Sequence, residues 1–184
     1  MKTSFYTEDE LKELGLKSIG SNVLISRKTS IYSPENISIG NNVRIDDFCI
    51  LSGNITIKNN IHIAAYSALY GGGRIVMEDY SGVSPRCTLL SATDDFSGNY
   101  LVGVCAEYKY RNVIKGIITI GKYAQIGAGS TVLPNVIVGE GVAVGAMSLV
   151  NKTLPEWTIC FGVPAKKVTE RKKDLLQYLF NNQE

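Results

Sequence analysis

The stretch IGKYAQIGAGSTVLPNVIVGEGVAVGAMSLVNKTLP, residues 120–155, decides the fold. An aliphatic residue stands at every sixth position, at Ile120, Ile126, Val132, Val138, Val144 and Val150. A small or mid-sized side chain follows four residues after each of them, at Ala124, Ser130, Val136, Val142, Ser148 and Leu154. A period of six matches neither a lone α-helix nor a simple β-strand. It predicts a hexapeptide solenoid, in which a short strand and a turn repeat and neighbouring coils bury each other's inward side chains.

The same period runs through the first half of the chain. It begins at Ile19 and is shifted by two residues at Ile39 and again at Met77, close to Gly71-Gly72-Gly73. We interpret these shifts as small insertions at a corner, which leave the stacking intact. Three hexads make one coil, so we expect an outer coil followed by coils at 39–56, 57–76, 77–94, 120–137 and 138–155. We label the three faces A, B and C and place on face A the residues Ile39, Ile57, Met77, Ile120 and Val138.

Both ends of the solenoid carry segments outside the period. Thr7 and Glu10 form a capping-box pattern, which predicts a short helix close to the N-terminus. Three leucines on one side of a helical wheel predict a C-terminal helix that packs back on the stack, namely Leu175, Leu176 and Leu179. We therefore expect an N-terminal helical cap (1–18), a β-helix (19–155) and a C-terminal segment with a helix (156–184).

The period disappears over residues 91–117. This excursion carries four aromatic residues, among them Tyr100, Tyr108 and Tyr110. A connection of more than 20 residues is uncommon in a compact fold and is usually functional or disordered, and the aromatic content argues against disorder. We interpret it as an arm that covers a site on an adjacent subunit.

Composition narrows the function classes. The formal net charge is +2, from 19 basic and 17 acidic residues that are well mixed, so there is no basic stripe for nucleic acid. The chain has no apolar run long enough to span a membrane, and its N-terminus is too acidic for a signal peptide. We therefore expect a cytoplasmic protein with no membrane partner.

The four cysteines are expected to be reduced and mostly buried, because they form no C-x-x-C pair: Cys49, Cys87, Cys105 and Cys160.

Three motifs resemble those of a known family, namely IGAGS (126–130), VGAMSLVNK (144–152) and FGVPAK (161–166). They are similar to the hexapeptide-repeat acyltransferases of the galactoside, maltose and streptogramin O-acetyltransferase branch. The resemblance implies an all-β, left-handed parallel β-helix, a homotrimer, and acetyl-CoA bound between neighbouring subunits. The left hand of the coil rests on the resemblance alone, because ordinary parallel β crossovers are right-handed.

The resemblance also implies where acetyl-CoA would bind. Ala128 and Ala146 occupy positions whose backbone groups face the pantetheine arm. Asn151 and Lys152 occupy positions that approach the later part of the cofactor. Lys166 occupies a basic position next to the CoA phosphates, where a cation would balance the negative charge in a half-exposed groove.

The catalytic base is the point at which the chain departs from the family. Acyl transfer needs a base for the proton of the acceptor, and the family places a histidine where this chain has Asp94. Asp94 would serve if burial raised its pKa; otherwise Asp94 and Asp95 would only bind loop backbone. The single histidine, His62, is an outward residue that we place at the corner between faces A and B, and its imidazole is the best intrinsic base in the chain. In the third alternative, an amine acceptor loses its proton to water.

The single histidine also argues against a metal site. Some relatives of this fold use three histidines for each zinc ion, and one histidine cannot supply them, so we expect no metal. Sugar sites combine aromatic and polar side chains, and our candidates of this kind are Tyr66, Tyr70, Arg86, Asp94 and Tyr100. By resemblance, the protein would transfer an acetyl group from acetyl-CoA to a sugar hydroxyl in surface-polysaccharide or lipopolysaccharide synthesis. The alternatives are N-acetylation of a nucleotide-linked amino sugar, which would ease the lack of a histidine base, and an inactive β-helix scaffold.

Overall fold

The computed structural model describes residues 4–180, which form a left-handed parallel β-helix with short helices at its ends. The expected fold class is therefore confirmed. Helices α1 and α2 span Glu8–Glu13 and Gln177–Phe180, and 3-10 turns lie at Pro34–Asn36, Tyr108–Tyr110 and Asp174–Leu176. No helix within this described part of the chain is long and apolar enough to cross a bilayer.

The strands follow one another in short steps around the coil. In chain order they are β1 Ser18–Ile19, β2 Val23–Ile25, β3 Ser30–Tyr32, β4 Ile37–Ile39, β5 Val43–Ile45, β6 Ile50–Ile57, β7 Ile61–Ile63, β8 Ala68–Met77, β9 Gly82–Val83 and β10 Thr88–Leu90. They continue with β11 Ala92–Asp94, β12 Val113–Lys115, β13 Ile117–Ile120, β14 Gln125–Ile126, β15 Thr131–Val132, β16 Ile137–Val138, β17 Ala143–Val144, β18 Leu149–Val150, β19 Thr158–Gly162 and β20 Ala165–Glu170.

The parallel register confirms the alignment of the coils. On face A, Ile39 pairs with Ile57, Ile57 with Met77, Met77 with Ile120, and Ile120 with Val138. All five side chains are buried. Face B is a separate sheet in the order β2-β5-β7-β9-β14-β17-β19-β20, whereas faces C and A are joined because β6 and β8 bend through the corner between them. Each inward column is thus closed by the coil above and the coil below.

All the insertions lie at the corner between faces C and A. The 3-10 turn Pro34–Asn36 accounts for the first shift of the period, and Gly71–Gly73, inside β8, accounts for the second. The excursion leaves at the same corner as an antiparallel ribbon, in which β11 pairs with β12. Below and above these insertions, Ile55, Ile75 and Ile118 stay in register. The shifts are corner insertions, as expected.

The two ends differ in how closely they match the sequence analysis. The capping box at α1 is present, with Thr7 N donating to Glu10 Oε2 at 2.7 Å and Glu10 N donating to Thr7 Oγ1. After residue 156, however, a β-hairpin precedes the short helix α2: β19 joins face B beside β17, and β20 returns antiparallel to it. The sequence analysis did not predict this hairpin, which precedes the leucines and extends the sheet of face B.

The cysteines are free thiols, as expected. Cys49, Cys87 and Cys160 are buried inside the coil, and Cys105 is exposed on the excursion. Burial raises the pKa of Cys49 to about 11 and also raises the pKa of Cys87. Thiols in such surroundings are inert fillers of the core rather than nucleophiles.

The stack predicts the cost of a cavity in its centre. Ile63 is fully buried on face B, so Ile63→Ala should lower the free energy of unfolding by about 2–5 kcal/mol, through lost burial and the cavity left behind. Ile137 is 52% exposed, so Ile137→Ala should change it by about 0.5 kcal/mol or less. Urea unfolding at one protein concentration measures both, and equal losses would contradict the assigned core.

Candidate active site

One corner of the coil carries a continuous column of turn residues. We call it the corner ladder, defined by Phe48, Tyr66, Arg86, Gly129 and Met147, between faces B and C. Backbone hydrogen bonds join successive coils here: Tyr66 N donates to Asp47 O at 3.1 Å, Arg86 N to Ala65 O at 3.1 Å, and Met147 N to Ala128 O at 2.8 Å. All five residues have φ between 57° and 71°, a conformation that is uncommon for non-glycine residues. The ladder places one side chain of each coil along a single edge.

Three of the five proposed cofactor positions lie along this edge. Ala128 and Ala146 flank the ladder at Gly129 and Met147. The coils are close enough there that a Cβ on Gly127 would lie 2.5 Å from Ala146 N. Lys166 is exposed on β20, opposite Phe161 at the end of β19. Backbone groups and a free cation thus line the edge at the C-terminal end of the solenoid.

Asn151 and Lys152 lie elsewhere, because they follow β18 at the corner between faces C and A. Both are exposed. Within one subunit, face C separates them from Ala128 and Ala146.

His62 lies in the middle of face B, not at the corner between faces A and B where the sequence analysis placed it. It sits in β7 between the inward residues Ile61 and Ile63, so strand alternation turns its side chain outward. His62 Nε2 lies 2.7 Å from Asp46 Oδ2, and Arg44 Nε lies 2.7 Å from Asp46 Oδ1. Burial raises the pKa of Asp46, but the hydrogen bonds from Arg44 and His62 outweigh it, so the pKa is lowered and the carboxylate stays ionised.

The carboxylate of Asp46 orients the imidazole. An ionised carboxylate only accepts hydrogen bonds, so this contact favours a proton on Nε2 of His62 and leaves the lone pair of a neutral ring on Nδ1. The side chain of His62 is exposed, and a cleft of about 380 Å³ adjoins it. Nδ1 is thus available to a ligand in this cleft.

The cleft contains residues that the sequence analysis did not select. Besides His62 and Asp46, it is lined by Ser84, Gln125 and small residues of the corner. Gly82 lies between the strands of these two residues: it pairs with His62 on one side and with Gln125 on the other, and a Cβ on it would lie 2.8 Å from Gln125 Oε1. The sequence could have indicated this region, because an outward glycine stands between two outward polar residues on the same face.

Asp94 has surroundings opposite to those of a raised-pKa base. It lies in β11, where Oδ1 accepts a hydrogen bond from Arg111 Nη2 and Oδ2 accepts one from Gly103 N, each at 3.1 Å. The Arg111 hydrogen bond and then that of Gly103 lower the pKa of Asp94. The alternative in which burial raises this pKa is wrong, because the half-buried guanidinium of Arg111 pairs with the carboxylate. Asp95 accepts from Ser97 N at 2.8 Å and so holds the loop backbone.

The remaining acceptor candidates divide between two corners. Tyr66 and Arg86 are rungs of the corner ladder. Tyr70 pairs with Leu90 on face C, next to the C–A corner, and Tyr100 lies on the excursion. We name the two groups the BC half-site, with His62, Tyr66, Arg86, Ala128, Ala146 and Lys166, and the CA half-site, with Tyr70, Asp94, Tyr100, Asn151 and Lys152. One subunit does not bring the two half-sites together.

Metal ligation has no support within residues 4–180, where His, Cys, Asp and Glu form no cluster of three that would hold an ion.

Known proteins share this fold and much of this sequence. Residues 117–152 match the family described as bacterial transferase hexapeptide (six repeats). The dTDP-4-amino-4,6-dideoxy-D-glucose acyltransferase of Escherichia coli is 46% identical over 177 residues, which cover 95% of this chain and 92% of the relative. A putative lipopolysaccharide biosynthesis O-acetyl transferase, WbbJ of Escherichia coli K12, is 30% identical over 74% of this chain and 70% of its own length.

Solved structures agree closely with the coil. AntD, an N-acyltransferase from Bacillus cereus, in complex with dTDP and 3-hydroxybutyryl-CoA, superposes with a TM-score of 0.95 at 52% identity, covering 98% of this chain and 96% of AntD. Its S84A mutant was crystallised with dTDP-4-amino-4,6-dideoxyglucose and coenzyme A and superposes with a TM-score of 0.96 at 51% identity, covering 98% and 97% of the two chains. The chain belongs to the hexapeptide-repeat acyltransferases. It is an acyltransferase built on a left-handed β-helix.

The Asp94–Arg111 pair predicts a pH-dependent contribution to stability. A carboxylate with a lowered folded-state pKa stabilises the protein above its unfolded pKa, about 3.9, and this contribution is lost as the pH falls through the folded value. Asp94→Asn should therefore lower the unfolding midpoint at pH 7, and the difference from the wild type should shrink below about pH 4. The thermal unfolding midpoints of both proteins, measured between pH 7 and pH 3, give this difference.

Arg111→Gln provides the matched variant. It removes the other partner of the same ion pair, so the double variant should lose little more stability than either single variant. Additive losses, or a difference that does not change with pH, would contradict the pairing.

Proposed function

We propose that the protein transfers an acyl group from acyl-CoA to the amine of a nucleotide-linked amino sugar. What carries the proposal is the similarity, over nearly the whole chain, to an enzyme named for dTDP-4-amino-4,6-dideoxyglucose and to an N-acyltransferase crystallised with that sugar nucleotide. AntD was also crystallised with 3-hydroxybutyryl-CoA, so the proposed donor is acyl-CoA in general and not acetyl-CoA alone. The amine replaces the sugar hydroxyl as the preferred acceptor.

The surroundings of Asp94 favour an amine over a hydroxyl. A hydroxyl must lose its proton as it attacks, so it needs a strong base beside it. A neutral amine attacks with its lone pair and loses the proton after the C–N bond has formed. Asp94, held ionised by Arg111, is a weak base, but its charge suits the docking of an amine. AntD was studied as D94A and S84A mutants, and this chain has Asp94 and Ser84 at the same numbers.

His62 is the proposed acceptor of the proton. The amine nitrogen adds to the thioester carbonyl, the C–S bond breaks as the tetrahedral intermediate collapses, and the proton lost by nitrogen passes to the CoA sulfur. His62 and Ser84 line the same cleft; in this proposal Nδ1 of His62 carries that proton, while Asp46 positions the ring. The proposal combines two of the alternatives, because an amine acceptor and an outward imidazole do not exclude each other.

Completion of the site requires a second subunit. Neither half-site contains all the groups that transfer would use, and the excursion presents exposed apolar residues, such as Val104 at 84% and Tyr108 at 86% exposure. Exposed apolar patches of this kind mark protein interfaces. We propose a homotrimer in which the BC half-site of one subunit faces the CA half-site of the next. The cytoplasmic location and the role in lipopolysaccharide synthesis stay predictions.

The assigned roles predict the kinetics of two variants. Coenzyme A release from acetyl-CoA should depend on dTDP-4-amino-4,6-dideoxyglucose and not on its 4-hydroxy analogue. His62→Asn should lower kcat by about 100-fold or more, because the proton acceptor is lost. Asp94→Asn should chiefly raise the KM for the amino sugar.

Leu24→Ala is the control. Leu24 is exposed on face B and pairs with Arg44, which in turn pairs with His62. It should keep wild-type turnover. Full turnover in both His62→Asn and Asp94→Asn would contradict the assigned roles and leave water as the proton acceptor. Turnover with the hydroxyl analogue alone would make O-acylation the better interpretation. No response of the unfolding midpoint to millimolar CoA would favour the inactive scaffold.

Subunit mixing tests the shared site. His62→Asn and Asp94→Asn disable different half-sites, so each mixed trimer should contain one intact site. Co-expression of the two variants with different tags, followed by isolation of the mixed species, should give a higher turnover at low amino-sugar concentration than either variant alone. A site contained within one subunit would give no recovery, and a monomeric mass in light scattering would contradict the trimer.

A further inference from the structure

The carboxylate of Asp46 has a second partner besides His62. Arg44 Nε donates to Oδ1 at 2.7 Å, and His62 Nε2 lies 2.7 Å from Oδ2, so each oxygen serves one side chain. The backbone of Asp46 is fixed as well, because its N–H donates to Ile63 O at 3.0 Å and its carbonyl accepts from Thr29 Oγ1 at 3.1 Å. With Oδ1 occupied by the arginine, Oδ2 is the oxygen that remains for the imidazole.

Phe5 restrains the arginine. The side chain of Arg44 is 54% exposed, and an exposed ion pair alone leaves a long side chain mobile. The Arg44 guanidinium carbon lies 5.3 Å from the centroid of the Phe5 ring, within the range of a cation–π contact. Phe5, Arg44 and Asp46 also line one cleft, of about 440 Å³. The aromatic ring therefore limits the positions that the guanidinium can take.

The segment that carries Phe5 is itself attached to the first coil. Phe5 forms an antiparallel bridge with Ser26, directly after β2. In helix α1, which follows, both carboxylate oxygens of Glu10 accept hydrogen bonds from the guanidinium of Arg27, at 2.7 and 2.6 Å. The phenyl ring is thus presented to face B by a segment with a fixed position.

Charge gives Arg44 a second effect on His62. The charged groups around the imidazole lie on one side of it, Arg44 on β5 and Asp46 just after β5. On the other side β9 and β14 present Gly82 and Gln125, which carry no charge, and the remaining residues of the cleft do not titrate. A carboxylate without a second partner favours the protonated ring and would retain its proton. Because Arg44 balances the carboxylate, Asp46 orients the ring with little net charge beside it.

We propose that Arg44 and Phe5 are positioning residues for His62. Phe5 holds the guanidinium, the guanidinium fixes and neutralises Asp46, and Asp46 orients the imidazole that takes the proton from the amine and passes it to the CoA sulfur. A group that must both accept and release a proton needs orientation without a charge that traps the proton. This inference rests on the proposed function, because it concerns the same imidazole.

The single histidine makes the proposal measurable by NMR, because a tag-free protein labelled at the histidine ring gives signals from His62 alone. Arg44→Met removes the balancing charge, so the midpoint of the ring titration should rise by about 0.5 pH unit or more. On the acidic limb of the pH profile, kcat should fall by about threefold or more, and this loss should shrink as the pH rises. The KM for the amino sugar should stay unchanged.

Variants of Phe5 test whether the ring acts through the arginine. Phe5→Leu should shift the titration in the same direction but by less, because Arg44 keeps its charge and loses its restraint. Phe5→Tyr keeps an aromatic ring and should titrate as the wild type does. The double variant Phe5→Leu with Arg44→Met should shift no further than Arg44→Met alone.

Lys28→Met is the matched control. Lys28 is also a cation with a 55% exposed side chain; it pairs with the carboxylate of Asp47 at 2.8 Å, and its Nζ lies 5.1 Å from the centroid of the Phe48 ring. The substitution removes the same charge without touching Asp46, so the titration of His62 should stay close to that of the wild type. Unfolding midpoints and light scattering establish that each variant folds and assembles as the wild type does.

The outcomes distinguish this inference from the function on which it rests. If Arg44→Met and Phe5→Leu titrate and turn over as the wild type does while His62→Asn loses turnover, the inference is wrong and the proposed function stands. Equal shifts in Arg44→Met and Lys28→Met would also overturn it, because the effect would then be one of total charge. A raised KM for the amino sugar in Arg44→Met, with an unchanged titration, would make Arg44 a binding residue instead. Full turnover in His62→Asn would overturn both the inference and the proposed role of His62.

Discussion

The structure depends on one constraint, that the inward side chains of each coil are buried between the coils above and below it. Ile120 packs in register between Met77 and Val138. Because successive coils must keep the same phase, the corners are also held in register. Side chains at the turns therefore form columns about one strand spacing apart. Rigid edges of this kind are the surfaces on which a site can be built.

Insertions are tolerated at only one place in this scheme. The 3-10 turn, the glycine-rich bend in β8 and the excursion all leave at the corner between faces C and A, where extra chain can extend outward without moving an inward column. The excursion begins as a ribbon that Asp94 and Arg111 hold together through an ion pair. That contact explains why a carboxylate at the family's histidine position has a lowered pKa. The proposed amine acceptor is consistent with this weak base, because a hydroxyl would need a stronger one.

The division of the candidate residues between two corners is the reason for proposing a site shared by two subunits. His62, oriented by Asp46, lies on face B, whereas Asp94 lies across face C at the base of the excursion. The corner ladder adds Tyr66 and Arg86 to the edge of face B, with the Arg86 guanidinium carbon 5.9 Å from the centroid of the Tyr66 ring. The side chains of the corner ladder follow one another along the solenoid axis because each of them belongs to a successive coil.

The sequence alone determined the coil, its phase, the excursion and the family, because a six-residue period and glycine-containing turn motifs are local properties of the chain. It also predicted the capping box at Thr7. It predicted that His62 points outward but placed it at a corner, because the limits of strand β7, Ile61–Ile63, are set by pairing with the neighbouring coils. It could not predict the lowered pKa of Asp94, which depends on Arg111, a residue brought beside it by pairing of β11 with β12. Only the tertiary structure decided which side chains share a corner, because that depends on how many residues each coil takes to return to the same edge.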